Sequence, residues 1–236
     1  EVWASDLALW QDAVDRGPRM ARSHLYLGDA RVAAARREVR PEAVARHREG
    51  ARSAYEAVVT LDPVQRMLTL QAHNGLAILE TEAGDLSGAE GRLARVLAEH
   101  PDFVDALVNL GGVFYARAGK SRGADGESLE RATQLYERAL DLAPNRYEAR
   151  LNLGACYHLA GDLARAQAEY ETVVGQAPDS GTAALNLGLL YLHRSSDEPT
   201  GGWRQRARGQ LQRAVRLLPG NASARRALEA AQETAE

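Results

Sequence analysis

The sequence predicts an all-α protein, a solenoid of paired helices, and three observations carry that prediction. A short phrase recurs, first as Leu27-Gly28 and then as Asn109-Leu110-Gly111, Asn152-Leu153-Gly154 and Asn186-Leu187-Gly188. Each copy is followed at a longer distance by a Tyr or Leu, an Ala or Val, and then a proline. The stretch from Tyr147 to Ser180 agrees in order and spacing with its neighbours on both sides. Self-similarity of this kind marks stacked supersecondary units, each too small to bury its own apolar face.

Residues 147–180 are the template, 34 residues long. Leu153, Gly154 and Tyr157 fall on one face of a first helix. Gly161-Asp162 is a turn signal. Ala166, Tyr170 and Val173 recur at spacings of four and three, the core stripe of a second helix. Pro178 closes the unit, because proline inside a helix removes a hydrogen bond and clashes with the preceding turn. Small Gly154 and Ala166 let the two helices cross closely, and Tyr157 and Tyr170 fill the space beside the crossing.

The other elements follow in order. Residues 1–20 are a half unit, in which Trp10, Ala13 and Pro18 are placed like a second helix without its first. Unit 21–67 carries Leu27, Gly28, Ala51, Tyr55, Val58 and Pro63. Unit 68–103 is a weaker copy, with Leu76, Ala77, Gly84, Ala89, Leu93, Val96 and Pro101. Unit 104–146 carries Leu107, Leu110, Gly111, Phe114, Ala132, Tyr136, Ala139 and Pro144. Unit 181–221 carries Ala184, Leu187, Gly188, Tyr191, Ala207, Leu211, Ala214 and Pro219. Residues 222–236, rich in Ala, Arg, Glu and Gln, read as a lone capping helix. A solenoid is one domain however long it runs, so 1–236 is expected to be a single domain. A start on a half unit without Met points to a piece of a longer protein.

This pattern resembles the tetratricopeptide repeat, a helix–turn–helix of this length. The resemblance implies a right-handed superhelical solenoid of about twelve helices, the first helix of each unit lining the concave face. It also implies a protein-interaction scaffold. Two departures stand out. The large aromatic usual early in the first helix is replaced by His24, His73, Leu107, Arg150 and Ala184. Glu80 stands where a buried aromatic is expected, which predicts either a distorted second copy or a carboxylate pointing into the groove.

Three copies are long, and their additions fall between the two helices at 31–50, 118–128 and 193–203. The first is helix-forming and should lengthen the helices around Pro41. The other two are Gly- and Ser-rich and are expected to be flexible. Equivalent loops line up on one edge of a solenoid. That edge reads either as an auxiliary binding surface anchored by an exposed Trp203 or as tolerated loop growth. Growth is favoured, because long insertions cost little closure entropy.

Composition bounds the chemistry. The chain is 45% hydrophobic and 26% charged, which is globular, and its net charge of −3 with interspersed signs leaves no nucleic-acid tract. The single cysteine, Cys156, excludes an internal disulfide and lies among buried slots, as an inert thiol does. No apolar run approaches the ~20 residues of a membrane span. Gly119-Lys120-Ser121 resembles the end of a phosphate-binding loop, but Phe114 stands where that loop needs a glycine. None of the six histidines is spaced with a Cys or carboxylate as a metal ligand set on one helix. Asn221-Ala222-Ser223 fits a glycosylation triplet of a kind that chance supplies. The reading is of no enzyme, no cofactor and no metal.

The expected site is the groove. Asn109, Asn152 and Asn186 share one slot, immediately before Leu-Gly, and Asn74 lies one residue out of phase. Carboxamides donate and accept at once, which suits the backbone of an extended peptide. Such a row needs amides that are partly exposed and not consumed by structural bonds. Tyr115, His158 and Leu189 complete the expected groove set. The row resembles the asparagine ladder of the repeat domain of O-linked N-acetylglucosamine transferase. The slot before each asparagine is apolar, Val108, Leu151 and Leu185, so the Lys/Arg clamp that holds a C-terminal carboxylate is absent. An apolar or aromatic segment, a partner helix or a neighbouring turn of the superhelix suits that lining.

The opening, with Val2-Trp3, Ser5-Asp6-Leu7, Leu9-Trp10, Pro18 and Leu27-Gly28, resembles the junction at which multi-spanning O-mannosyltransferase-like membrane proteins enter their C-terminal repeats. Two readings stay open. One is a stand-alone scaffold for a protein or peptide partner, in the cytoplasm or periplasm. The other is the non-catalytic acceptor-binding module of a membrane-bound glycosyltransferase, facing away from the cytoplasm, with no membrane contact of its own.

Overall fold

The computed structural model describes residues 5–61, 66–121, 125–198 and 200–232, with the Arg66 side chain left aside. Val2, Trp3 and Pro63, on which parts of the sequence reading rest, lie outside the described residues. Among those residues there are twelve helices and no strand. They are α1 (Asp6–Arg16), α2 (Ala21–Arg37), α3 (Pro41–Leu61), α4 (Arg66–Ala83), α5 (Leu86–Glu99) and α6 (Val104–Lys120), followed by α7 (Gly126–Leu142), α8 (Tyr147–Leu159), α9 (Leu163–Gln176), α10 (Gly181–Asp197), α11 (Trp203–Leu217) and α12 (Ala222–Gln232). None of them is long and apolar enough to cross a membrane.

The chain divides into two compact units, residues 1–113 and 114–236, with the division inside α6. In the first unit each helix from α1 to α5 packs on the next, and α2 also meets α4. In the second, α7 to α12 do the same, and the first helices α8, α10 and α12 touch in sequence.

Local chemistry sets these bounds. Asp85, Asp125 and Asp162 each accept a hydrogen bond from the backbone N–H three residues on, at 2.9–3.0 Å, and Ser180 does so at 3.2 Å. These side chains satisfy N–H groups that a helix start leaves unpaired. Gly84 and Gly161, at φ 86° and 81°, turn α4 into α5 and α8 into α9 through the left-handed region that glycine enters without strain.

Packing follows from the glycines of the repeated phrase. A Cβ at Gly154 would lie 2.7 Å from the Tyr170 ring, one at Gly188 2.6 Å from the Leu211 side chain, and one at Gly28 2.5 Å from the Tyr55 ring. Gly111 is likewise buried. Tyr55 is gripped twice, because a Cβ at Gly75 would also lie 2.6 Å from it. Tyr136, Tyr170, Leu93 and Leu211 are among the largest fully buried side chains, each stabilising the fold by ~1.5–3 kcal/mol relative to exposure.

At two of the five positions the missing early aromatic is replaced by a polar pair, while Leu107 and Ala184 are buried apolar residues. His73 Nδ1 lies 3.1 Å from Arg92 Nη1, and Arg150 Nη1 donates to Glu169 Oε2 at 2.8 Å. Both partners stand 19 residues further on, at the same point of the second helix.

Three expectations are revised. Glu80 neither distorts α4, which is unbroken, nor enters a groove. It is 7% exposed and accepts from Arg92 Nε at 3.0 Å and Nη2 at 2.6 Å, because a buried carboxylate demands a paired cation. The third insertion is helical from His193 to Asp197, continuing α10. Trp203 is half-buried and is no exposed anchor. Its indole N–H donates to Glu198 at 2.9 Å, Arg194 and Arg206 lie 3.9 and 4.7 Å from its ring centroid, and Tyr191 packs at 5.7 Å. Cations on the ring and a carboxylate on its N–H satisfy an indole within its own repeat. The first insertion does extend two helices, carrying α2 to Arg37 and starting α3, 21 residues long, at Pro41. In the second, residues 122–124 lie outside the described residues.

Candidate peptide-binding face

The first helices carry every residue of the expected groove. In the second unit α8 and α10 lie side by side, and the two are bridged on this face by His158 Nε2 and His193 Nδ1 at 3.2 Å. The rings lie 5.4 Å apart at 31°, and the Tyr170 ring meets His158 edge-on at 6.4 Å. Burial, and then the neighbouring His193, hold the His158 pKa below its ordinary value. Spacing along one helix did not reveal this pair, because its members sit 35 residues apart on adjacent repeats.

The asparagines are half-exposed, but two of them are engaged in structural bonds. In the first unit Asn109 Nδ2 donates to Asn74 Oδ1 at 2.8 Å. In the second the Asn152 carboxamide hydrogen-bonds the Tyr136 hydroxyl, whose pKa is raised by burial, an effect that this bond only partly offsets. Among the described residues only Asn186 of the three has no side-chain hydrogen bond. The expectation of three unengaged amides is corrected accordingly.

The reason lies in the slot. In three repeats the residue at this slot rests on the large side chain at the centre of the preceding second helix. Tyr26 stacks on Trp10 at 4.6 Å, Gly75 meets Tyr55, and Asn152 meets Tyr136. Asn74 is out of phase because Gly75 occupies that slot, and it reaches Asn109 instead.

Tyr115 is half-buried, and burial raises its pKa, with Cys156 beside it. Cys156 is fully buried and its thiol is pushed up to about 12, an inert position. Leu189 is 38% exposed, one of the large apolar side chains left in solvent. Beside it on α10 are half-exposed Asn186 and exposed His193, with half-exposed Leu151, Asn152 and Ala155 on α8. The surface is a mixed apolar and carboxamide strip. Among the described residues no group of three or more His, Cys, Asp or Glu is placed to hold a metal ion.

The tetratricopeptide-repeat family matches residues 74–124 and 125–192. Among solved structures the chain is similar to TTC0263, a thermophilic tetratricopeptide-repeat protein of Thermus thermophilus, at 20% identity and TM-score 0.69, over 89% of this chain and 98% of that one. It is similar to YrrB, a tetratricopeptide-repeat protein described as having an unusual peptide-binding site, at 20% identity and TM-score 0.52, over 93% and 97% of the two chains. It also aligns with the Cut9–Hcn1 hetero-tetramer of the APC/C at 17% identity and TM-score 0.58, covering 95% of this chain and 45% of that one. No curated protein matches. None of these likenesses bears on the resemblance of the opening segment to membrane glycosyltransferases.

Proposed function

The chain is a tetratricopeptide-repeat protein, and on that premise we propose that it is a non-catalytic scaffold holding an extended segment of a partner protein against its first helices. The observation that carries this reading is the α8–α10 strip, where exposed Leu189 lies beside the unengaged carboxamide of Asn186. Leu189 supplies an apolar contact, and Asn186 pairs with a backbone N–H or C=O of the bound segment. Asn152 contributes more weakly. Each carboxamide has two N–H donors and an acceptor oxygen, so one structural bond leaves capacity for a ligand. Each such neutral bond contributes ~0.5–1.5 kcal/mol net, which gives transient capture that tolerates varied side chains. The peptide site named for the structural neighbour YrrB supports a peptide-binding role on this fold.

The test is selection of ten-residue peptides from a random library on the intact chain, followed by affinity measurements on variants. Leu189→Asp is expected to weaken the selected peptides roughly tenfold or more, and Asn186→Ala by a few-fold. Peptides that bind both variants as they bind the parent, and whose amide protection maps away from α8 and α10, would overturn the reading.

A further inference from the structure

The lengthened α2–α3 pair has a charge opposite to that of the chain. Between Arg31 and Arg52 the sequence places seven arginines against three glutamates, on a protein of net charge −3. Two of these arginines line an apolar groove of about 510 Å³, where the start of α3 lies along the end of α4. Its apolar lining includes Val39, Val44, Leu79 and Ala83, and Val39 is 88% exposed. Arg48, Arg52 and Glu49 are its charged lining.

The charges beside the groove do not cancel. Glu82 is shared by two guanidinium groups, Arg48 at 3.0 Å and Arg36 at 3.6 Å, so one carboxylate faces two cations. Among the described residues Arg52, which lines the groove, has no ion-pair partner, and neither do Arg37 and Arg46 elsewhere on the same two helices. Guanidinium groups pair with carboxylates through two parallel N–H donors, and an apolar side chain seated between them gains from leaving water. A nucleic-acid backbone would use the cations and leave the apolar floor empty.

We propose that this groove docks an acidic segment of a partner protein, with an apolar side chain seated over Val44 and Leu79 and carboxylates on Arg48 and Arg52. The site shares no residue with the α8–α10 strip and does not depend on it. An insertion that loop growth alone explains carries no need for an exposed valine in a groove that also holds Arg48 and the unpaired Arg52.

The test uses the full chain and fluorescence anisotropy with three labelled probes. These are a ten-residue peptide alternating Glu and Leu, its Lys–Leu counterpart, and an oligothymidine of similar length. The Glu–Leu peptide is expected to bind, and to weaken about tenfold on going to ~0.5 M salt, because exposed charge pairs are screened beyond a few ångströms there. Arg48→Glu with Arg52→Glu should abolish binding, and Val44→Asp should weaken it about as much as the salt does. Since Arg48 also holds Glu82, Arg52→Glu alone is the second variant, and it is expected to lose most of the affinity while the circular dichroism of the parent is retained. Asn186→Ala with Leu189→Asp should leave this binding unchanged. Equal binding of the Lys–Leu peptide, preference for the oligonucleotide, or indifference to Arg52→Glu would each overturn the proposal.

Discussion

One slot of the first helix is filled in opposite ways by the two units. In α8 and α10 of the second unit it holds tyrosine, while Phe114, its counterpart on α6, has no hydroxyl to donate. Tyr157 donates to Glu137 Oε1 at 3.0 Å and Tyr191 to Glu171 Oε1 at 2.8 Å, each bond reaching 20 residues back onto the preceding second helix. In the first unit the slot holds Arg31 and Glu80. Arg31 keeps the backward reach, donating to Gln11 at 2.8 Å and 20 residues away. Glu80 abandons it and turns to Arg92 on the second helix of its own repeat. The backward staple is thus a property of helix placement that any donor can use. A carboxylate cannot donate, and in the preceding second helix it would face Glu56, the residue after Tyr55, just as Glu137 follows Tyr136. The repeat therefore recruits an arginine and acquires a buried ion pair.

The sharpest way to break this comparison is Arg92→Met, which strands Glu80. A loss of ~3 kcal/mol is expected in urea unfolding, the low end for breaking a buried pair, since Arg92 is partly exposed. A loss below ~1 kcal/mol would show that Glu80 finds water and that the pair is incidental. In the second unit Gly154→Leu drives a side chain into the Tyr170 ring and should cost ~1–3 kcal/mol or more. An unchanged melting temperature would place Gly154 on the wrong face.

Transplanting one solution into the other unit sharpens the contrast. Glu80→Tyr with Arg92→Leu should be neutral or stabilising, because apolar replacement of a buried pair often is, and Glu56, which follows Tyr55 as Glu137 follows Tyr136, is the expected acceptor for the new hydroxyl. A clear drop in the urea midpoint would mean that the first unit is built around its ion pair. Tyr157→Phe and Tyr191→Phe are expected to cost ~0.5–1.5 kcal/mol each, since the carboxylates they release can return to water. A double-mutant cycle with Glu137→Gln or Glu171→Gln checks that the loss belongs to the bond.

The smallest expected effect is of pH, and it acts in both units. Burial lowers the pKa of His73 and His158 below 6.5, with Arg92 and His193 as the next causes. The unfolded chain then binds more protons between 6.5 and the lower folded values, so stability is complete above 6.5 and falls as pH drops through that window. His73→Gln and His158→Gln should each flatten the profile of melting temperature against pH. A profile that is unaltered in both variants would assign the acid sensitivity elsewhere.

Much of the fold was legible along the chain. Leu-Gly, Gly-Asp and the closing prolines are local signals, because a helix stripe and a turn are each decided within a few residues by backbone sterics and by which side chains share a face. Asp162 caps α9, and Gly154 meets Tyr170, as that pattern requires. The candidate face was legible only as a set of slots. That Asn152 meets Tyr136, that Asn109 meets Asn74, that His158 meets His193 and that Glu80 chooses Arg92 were decided by the tertiary structure. Hydrogen bonds of this kind form only within about 3 Å and over a narrow angle. Which donor meets which acceptor across a repeat boundary therefore depends on helix crossing and rotamer, and sequence spacing records neither.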